Sequence, residues 1–184
     1  MSKKRVVTIF GGGSAVEGDG VFEQAVELGF LLASRDCTIA NGGYGGTMLA
    51  AARGAHKAGG DVIGVTCAAF RRAGPNEYVT QEIQTHSLEE RLRTLVELGS
   101  AYFVLPGGTG TLLELAEVWE LKNKRFASAS KPIIIVGEFW KDLIGLMQKA
   151  DPKSIRHITA AATPSQAVGL FDGSVPTTDR ESGL

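Results

Sequence analysis

The residues best suited to chemistry lie in one short run, Pro106-Gly107-Gly108-Thr109-Gly110-Thr111-Leu112-Leu113-Glu114. A glycine turn leads into a hydroxyl, and a carboxylate follows three residues later. On a helix, Thr111 and Glu114 share one face. The hydroxyl and the loop amides suit a phosphate, while the carboxylate addresses the sugar next to it. Two more turns have a similar composition: Gly11-Gly12-Gly13-Ser14, and Asn41-Gly42-Gly43-Tyr44-Gly45-Gly46 with Thr47 after it. Glycine lets backbone N–H groups approach an anion closely, and a following helix N-terminus adds a favourable dipole.

The elements that must position these turns can be read from hydrophobic periodicity. Apolar runs predict strands at Val6–Phe10, Thr38–Ala40, Asp61–Thr66, Ala101–Leu105 and Pro132–Val136. A shorter strand is expected at Ile155–Ile158. Helices are predicted around Val21–Leu32, Thr47–Ala58, Ser87–Leu98, Thr111–Lys124, Trp140–Ala150 and Ser165–Phe171. The helix opening at Ser87 carries capping-box spacing with Glu90. Residues 68–85 lack a pattern and read as a lid or binding loop containing Arg71 and Arg72. Strands that are wholly apolar and alternate with helices imply an α/β fold, a single doubly wound Rossmann-like domain. Its sheet should be mainly parallel, with helices on both faces. The domain is expected to span residues 1–172, with a flexible tail at 173–184. All three glycine turns then fall at strand-to-helix junctions, where ligands bind in open parallel sheets.

Composition narrows the function further. The chain has 184 residues and 24 glycines, with a formal net charge of −1. That balance argues against nucleic acid as a partner and against a polybasic membrane surface. No signal peptide or membrane-spanning run is visible, so a cytoplasmic location is expected. Cys37 and Cys67 are too few for a disulfide framework or a zinc site and read as buried thiols. His56, His86 and His157 lack metal-ligand spacing or a nucleophile to serve, so no metal is expected. Lys122, Lys124 and Arg125 complement the dipole at a helix C-terminus.

The common owners of glycine turns do not fit. Val16 replaces the third small residue of the dinucleotide fingerprint, and Asn41 stands where an acid would hold a ribose diol. No glycine cluster contains the lysine of a nucleoside-triphosphatase loop. A Gly-x-Ser-x-Gly elbow is absent from the sequence.

The Pro106–Glu114 run resembles the Pro-Gly-Gly-x-Gly-Thr-x-x-Glu signature of the Lonely Guy (LOG) family, some members of which carry the label of possible lysine decarboxylases. The resemblance covers roughly residues 5–150 and includes the first two glycine turns and the Ala58–Val65 run. It implies a phosphoribohydrolase that cleaves the N-glycosidic bond of a nucleoside 5′-monophosphate, either AMP or a cytokinin riboside 5′-monophosphate. No cofactor is implied. The family's helical arginine matches Arg91, 23 residues before the glutamate. The resemblance thus implies Arg91 and Glu114 as catalytic residues. Phosphate and ribose would be held by Gly12, Ser14, Gly43, Gly45, Gly46, Thr47, Gly107, Gly108, Thr109, Gly110 and Thr111. Glu117, one turn beyond Glu114, is a candidate supporting residue. A homodimer or higher homo-oligomer is also implied. The alternative on the same scaffold is a non-catalytic carrier or sensor that binds a nucleotide or the molybdenum cofactor.

Overall fold

A computed structural model describes residues 4–70, 74–126 and 130–173. Among these residues, seven strands form one sheet in the order β4-β3-β2-β1-β5-β6-β7. They are β1 Arg5–Phe10, β2 Cys37–Asn41, β3 Val62–Cys67, β4 Gln81–Thr85, β5 Tyr102–Val104, β6 Ile133–Val136 and β7 Ile158–Ala161. Every neighbouring pair is parallel. Among the described residues, six α-helices cover the sheet: α1 Gly20–Ala33, α2 Thr47–Lys57, α3 Leu88–Leu98, α4 Thr109–Asn123, α5 Lys141–Ala150 and α6 Pro164–Gly173. The expected α/β class with a parallel sheet is therefore what the chain forms.

Side chains alternate between the two faces of a strand, and this alternation divides the core. Val7, Ile9, Ile39, Val62, Phe103 and Ile134 pack with residues of α1, α2 and α6. Ala40, Ile63, Val65, Tyr102, Val104 and Ile135 pack with α3, α4 and Trp140 on the other side. Two helices on the first face meet almost backbone to backbone. A Cβ on Gly29 of α1 would strike the Ala51 carbonyl of α2, and one on Gly54 would strike the Val26 carbonyl.

Two edges differ from the sequence expectation. Residues 81–85, read as loop, form edge strand β4, which pairs with β3 from Ile63↔Gln81 to Cys67↔Thr85. Its residues are mostly polar and exposed, so no apolar run marks it. At the other edge, Ser154–His157 is a 3₁₀ turn and the strand begins at Ile158. Helix α4 starts at Thr109, two residues early, because Gly108 takes the N-cap position. Arg71, Arg72 and residues 174–184 of the expected tail lie outside the described residues, and Gly173, placed at the start of that tail, instead ends α6.

The strand order fixes the functional edge. From β1 the chain winds outward through β2, β3 and β4, then crosses to β5 on the opposite side of β1. The crevice outside the carboxyl ends of β1 and β5 is the topological switch point. These strands finish together, with Phe10 opposite Val104. Turns Gly11–Gly13 and Pro106–Gly108 therefore emerge side by side.

Candidate functional site

The three glycine turns interlock before any ligand is considered. Gly12 N–H donates to the Pro106 carbonyl at 3.1 Å. Gly12 O in turn accepts from the Thr47 amide at 2.9 Å and from the Thr47 hydroxyl at 3.1 Å. Gly46 has φ +66, and a Cβ there would run into the Gly12 carbonyl. Gly107 and Gly12 leave no room for a Cβ between them. The second turn is held from within: Asn41 Oδ1 accepts from Gly43 N–H at 2.8 Å, and Asn41 Nδ2 donates to Met48 O at 3.0 Å. Asn76 clamps it from outside, donating through Nδ2 to the Gly43 and Tyr44 carbonyls at 3.0 and 2.9 Å.

Over this floor lies a cavity of about 430 Å³. Gly11, Gly12, Gly13 and Ser14 form one side. Gly108 to Thr111 and Glu114, from the start of α4, form another, and Tyr44, Met48, Phe70 and Arg91 close the rest. Helix α4 has no side-chain cap. Its first-turn amides, which have no partner within the helix, face this cavity with the positive end of the helix dipole behind them. A second cavity of about 380 Å³ adjoins it, sharing Phe70, Arg91, Thr109, Gly110 and Glu114 and adding Leu88, Leu92 and Leu113. The first side is lined by backbone amides and the second by apolar side chains.

Between the two cavities stands an ion pair. Arg91 Nη1 lies 3.5 Å from Glu114 Oε1, and both side chains are about nine-tenths buried. Arg91 sits in the first turn of α3, whose start is fixed by its cap. Ser87 Oγ accepts from Glu90 N–H at 3.2 Å, and the Glu90 carboxylate accepts from His86 N–H at 2.8 Å. The guanidinium is then held on several sides. Its Nε donates to the Val65 carbonyl at 2.9 Å. The rings of Tyr44 and Phe70 flank it with centroids at 5.9 and 5.6 Å. Tyr44 is itself pinned, its hydroxyl accepting from Cys67 N–H at 2.8 Å. A Cβ on Gly42 would collide with Arg91 Nη2, so the glycine makes room for the arginine.

Burial pushes the Glu114 carboxyl up to about 7, against the opposing charge and hydrogen bonding of Arg91. The site thus holds a carboxyl that exchanges its proton near neutrality beside a fixed cation. Such a group can stabilise a nearby positive charge when ionised and take a proton from water. Among the described residues, no group of three or more His, Cys, Asp or Glu could hold a metal ion.

The structure brings Arg91, Glu114, Gly12, Ser14, Gly108, Thr109, Gly110 and Thr111 to one cavity. Gly43, Gly45, Gly46, Thr47 and Gly107 do not line it; they shape the turns beneath. The Gly12, Gly43 and Thr47 amides are already engaged by protein acceptors. Glu117 is half-buried and lines neither cavity. Sequence reasoning did not single out Gly42, Tyr44, Phe70 or Asn76 as site residues. Tyr44 carried a signal, an aromatic side chain within a run of glycines.

The chain resembles known proteins in both sequence and fold. A family model described as "Possible lysine decarboxylase" matches residues 48–169. A probable cytokinin riboside 5′-monophosphate phosphoribohydrolase of Oryza sativa subsp. japonica is 28% identical, over 95% of this chain and 74% of the relative. A cytokinin riboside 5′-monophosphate phosphoribohydrolase of Mycobacterium tuberculosis is 32% identical, over 68% of this chain and 67% of the relative. Among solved structures, the molybdenum cofactor binding protein of the phototrophic bacterium Rippkaea orientalis superposes with a TM-score of 0.76. It is 24% identical, and the match covers 94% of this chain and 98% of that one. That likeness concerns the fold.

Proposed function

The chain belongs to the possible lysine decarboxylase family, the LOG family, and on that premise we propose that it hydrolyses the N-glycosidic bond of a nucleoside 5′-monophosphate. The products are a free base and ribose 5-phosphate, and the substrate class is AMP or a cytokinin riboside 5′-monophosphate. The observation that carries this reading is the buried Arg91–Glu114 pair at the junction of an amide-lined cavity and an apolar one.

In this reading the 5′-phosphate lies against the α4 N-terminus and the Gly11–Ser14 turn, where amides and the helix dipole favour an anion. The base extends past the ion pair towards Leu88, Leu92 and Leu113. Holding the phosphate supplies binding energy that places C1′ beside Glu114. As the C1′–N bond breaks, its electron pair leaves with the base and positive charge grows on the ribose ring. The ionised carboxylate of Glu114 stabilises that charge and takes a proton from the water whose oxygen bonds to C1′. The base takes a proton from solvent as it leaves and Glu114 returns its own to solvent, so the reaction consumes one water in all. Arg91 keeps the carboxylate in place and favours its ionised form. No metal or cofactor enters the scheme.

The carrier reading uses the same cavity without turnover. The buried acid–base pair favours hydrolysis, since holding a ligand by its phosphate alone needs no carboxylate at the sugar. Incubation with AMP and N6-isopentenyl-AMP, followed by chromatography, decides between them. Hydrolysis yields ribose 5-phosphate with the wild type and none with Glu114→Gln. Tight retention of intact ligand, with no ribose 5-phosphate from any monophosphate, supports the carrier instead. The proposal includes self-association, for which light scattering should give a mass at least twice the 19.4 kDa of one chain.

A further inference from the structure

We infer that the opposite, amino-terminal edge of the sheet carries a second anion site, in which Lys122, Arg156 and His157 hold a phosphate-class oxyanion. A cavity of about 450 Å³ opens there, between the end of α4, the start of β6 and the last turns of α6. Lys122, Arg156, His157 and Thr159 supply its polar groups, and Pro132 and Ile133 its apolar wall. The site is independent of the reaction proposed above.

The first argument is uncompensated charge. Among the described residues, neither Lys122, Arg125 nor Arg156 forms an ion pair with a carboxylate. The whole chain carries a net charge of −1, so this cluster is not a by-product of a basic protein. The C-terminal dipole of α4 is equivalent to about half a negative charge and offsets only a fraction of three cations.

The second argument is mutual proximity. Partial burial, and after it the positive charges of Arg156, Lys122 and Arg125, hold the His157 imidazole below its ordinary value, while Asp151 acts in the other direction. Burial likewise lowers the Lys122 ammonium. The His157 shift puts three cations within electrostatic reach of the imidazole, and a bound anion would offset their repulsion.

The third argument is placement. Lys122 Nζ donates to the Lys131 carbonyl at 2.8 Å, which fixes the ammonium at the cavity and leaves further protons to donate. Arg156 Nε approaches His157 Nε2 at 3.5 Å, so the two side chains already converge. An oxyanion bound between them would favour the imidazolium, converting His157 from acceptor to donor.

The histidines make the test direct, since the chain has three, His56, His86 and His157. Their ring resonances are titrated with pH by NMR, His157 being assigned with His157→Gln. Inorganic phosphate and ribose 5-phosphate are added in separate arms, each against chloride of equal ionic strength. The inference expects the His157 midpoint to rise saturably, by about half a pH unit or more beyond the chloride control. Response to both ligands identifies a phosphate site, and response to ribose 5-phosphate alone identifies a sugar-phosphate site. Arg156 is exposed, so Arg156→Ala should keep the fold, as unchanged His56 and His86 signals would show, and weaken binding at least tenfold. If chloride matches both phosphates, or Arg156→Ala binds as tightly as the wild type, the cluster only experiences salt screening and the inference is overturned.

Discussion

Replacing Glu114 with glutamine separates the electrostatic cost of the site from its packing. In the folded protein the Glu114 carboxyl is raised from 4.5 to about 7, chiefly by burial. Between those values the folded state keeps a proton that the unfolded chain has released. The contribution to stability is therefore fully present below pH 4.5 and is lost as pH rises through about 7. At 1.36 kcal/mol per pH unit the complete interval corresponds to about 3 kcal/mol, most of which falls between pH 5 and pH 8. Glutamine has no such proton to lose, and every other titrating group is common to the two proteins. Urea unfolding of both at pH 5 and pH 8 should show the wild type losing about 2–3 kcal/mol relative to Glu114→Gln as pH rises. Contacts that glutamine fails to make with Arg91 shift both measurements equally and drop out. A stability difference that stays constant across this range would refute the reasoning, and Glu114 would then have to be ionised in the folded state throughout.

If Glu114 acts in its ionised form, wild-type kcat/KM should rise about tenfold per pH unit below about 7 and level off above it. Arg91→Leu removes the charge that favours ionisation, so the midpoint of that profile should move upward and the plateau should fall; an unchanged midpoint would show that the pair is not coupled. Gly42→Ala places a methyl group against Arg91 Nη2 and the Met48 sulfur. It should lower turnover at least tenfold through displacement of the guanidinium while circular dichroism remains native. Gly54→Ala should cost more than about 2 kcal/mol in urea unfolding with little direct effect on the cavity, because its methyl would press on the Val26 carbonyl across two packed helices.

The parts of the fold that were legible in the sequence are those buried on both sides. β1, β2, β3, β5 and β6 each present an apolar run because helices cover both faces. β4, with exposed Gln81, Glu82 and Gln84, lacks that run, and the short β7, exposed at Thr159 and Ala160, is displaced by three residues. These are the sheet's two edges, where one neighbour is missing and polar side chains reach water. The candidate site divides in a similar way. Thr111 and Glu114 are close in sequence, so their shared face follows from helical spacing alone. Arg91 comes from a separate helix and was reachable only through family resemblance. Tyr44 stands out only as an aromatic within a run of glycines; the Phe70 flank, the Gly42 clearance and the Asn76 clamp depend on which loops meet in space, and local pattern carries no trace of that.

The near-contact of α1 and α2 through Gly29 and Gly54 also bears on how the cavity can respond to a ligand. Helices that meet through their main chains have no side-chain layer to slide or repack. α2 follows directly on the second glycine turn, and that turn is hydrogen-bonded through Thr47 to the first. The floor of the cavity is thus coupled to a helix pair that behaves as one rigid body. Its other wall, formed by α3 and the start of α4, meets across the longer and more adjustable side chains of Arg91, Leu92, Leu113 and Glu114. Any tightening around a ligand must come from that wall, and the carboxylate, the guanidinium and the α4 amides would travel with it while the Gly11–Ser14 turn beneath stays still.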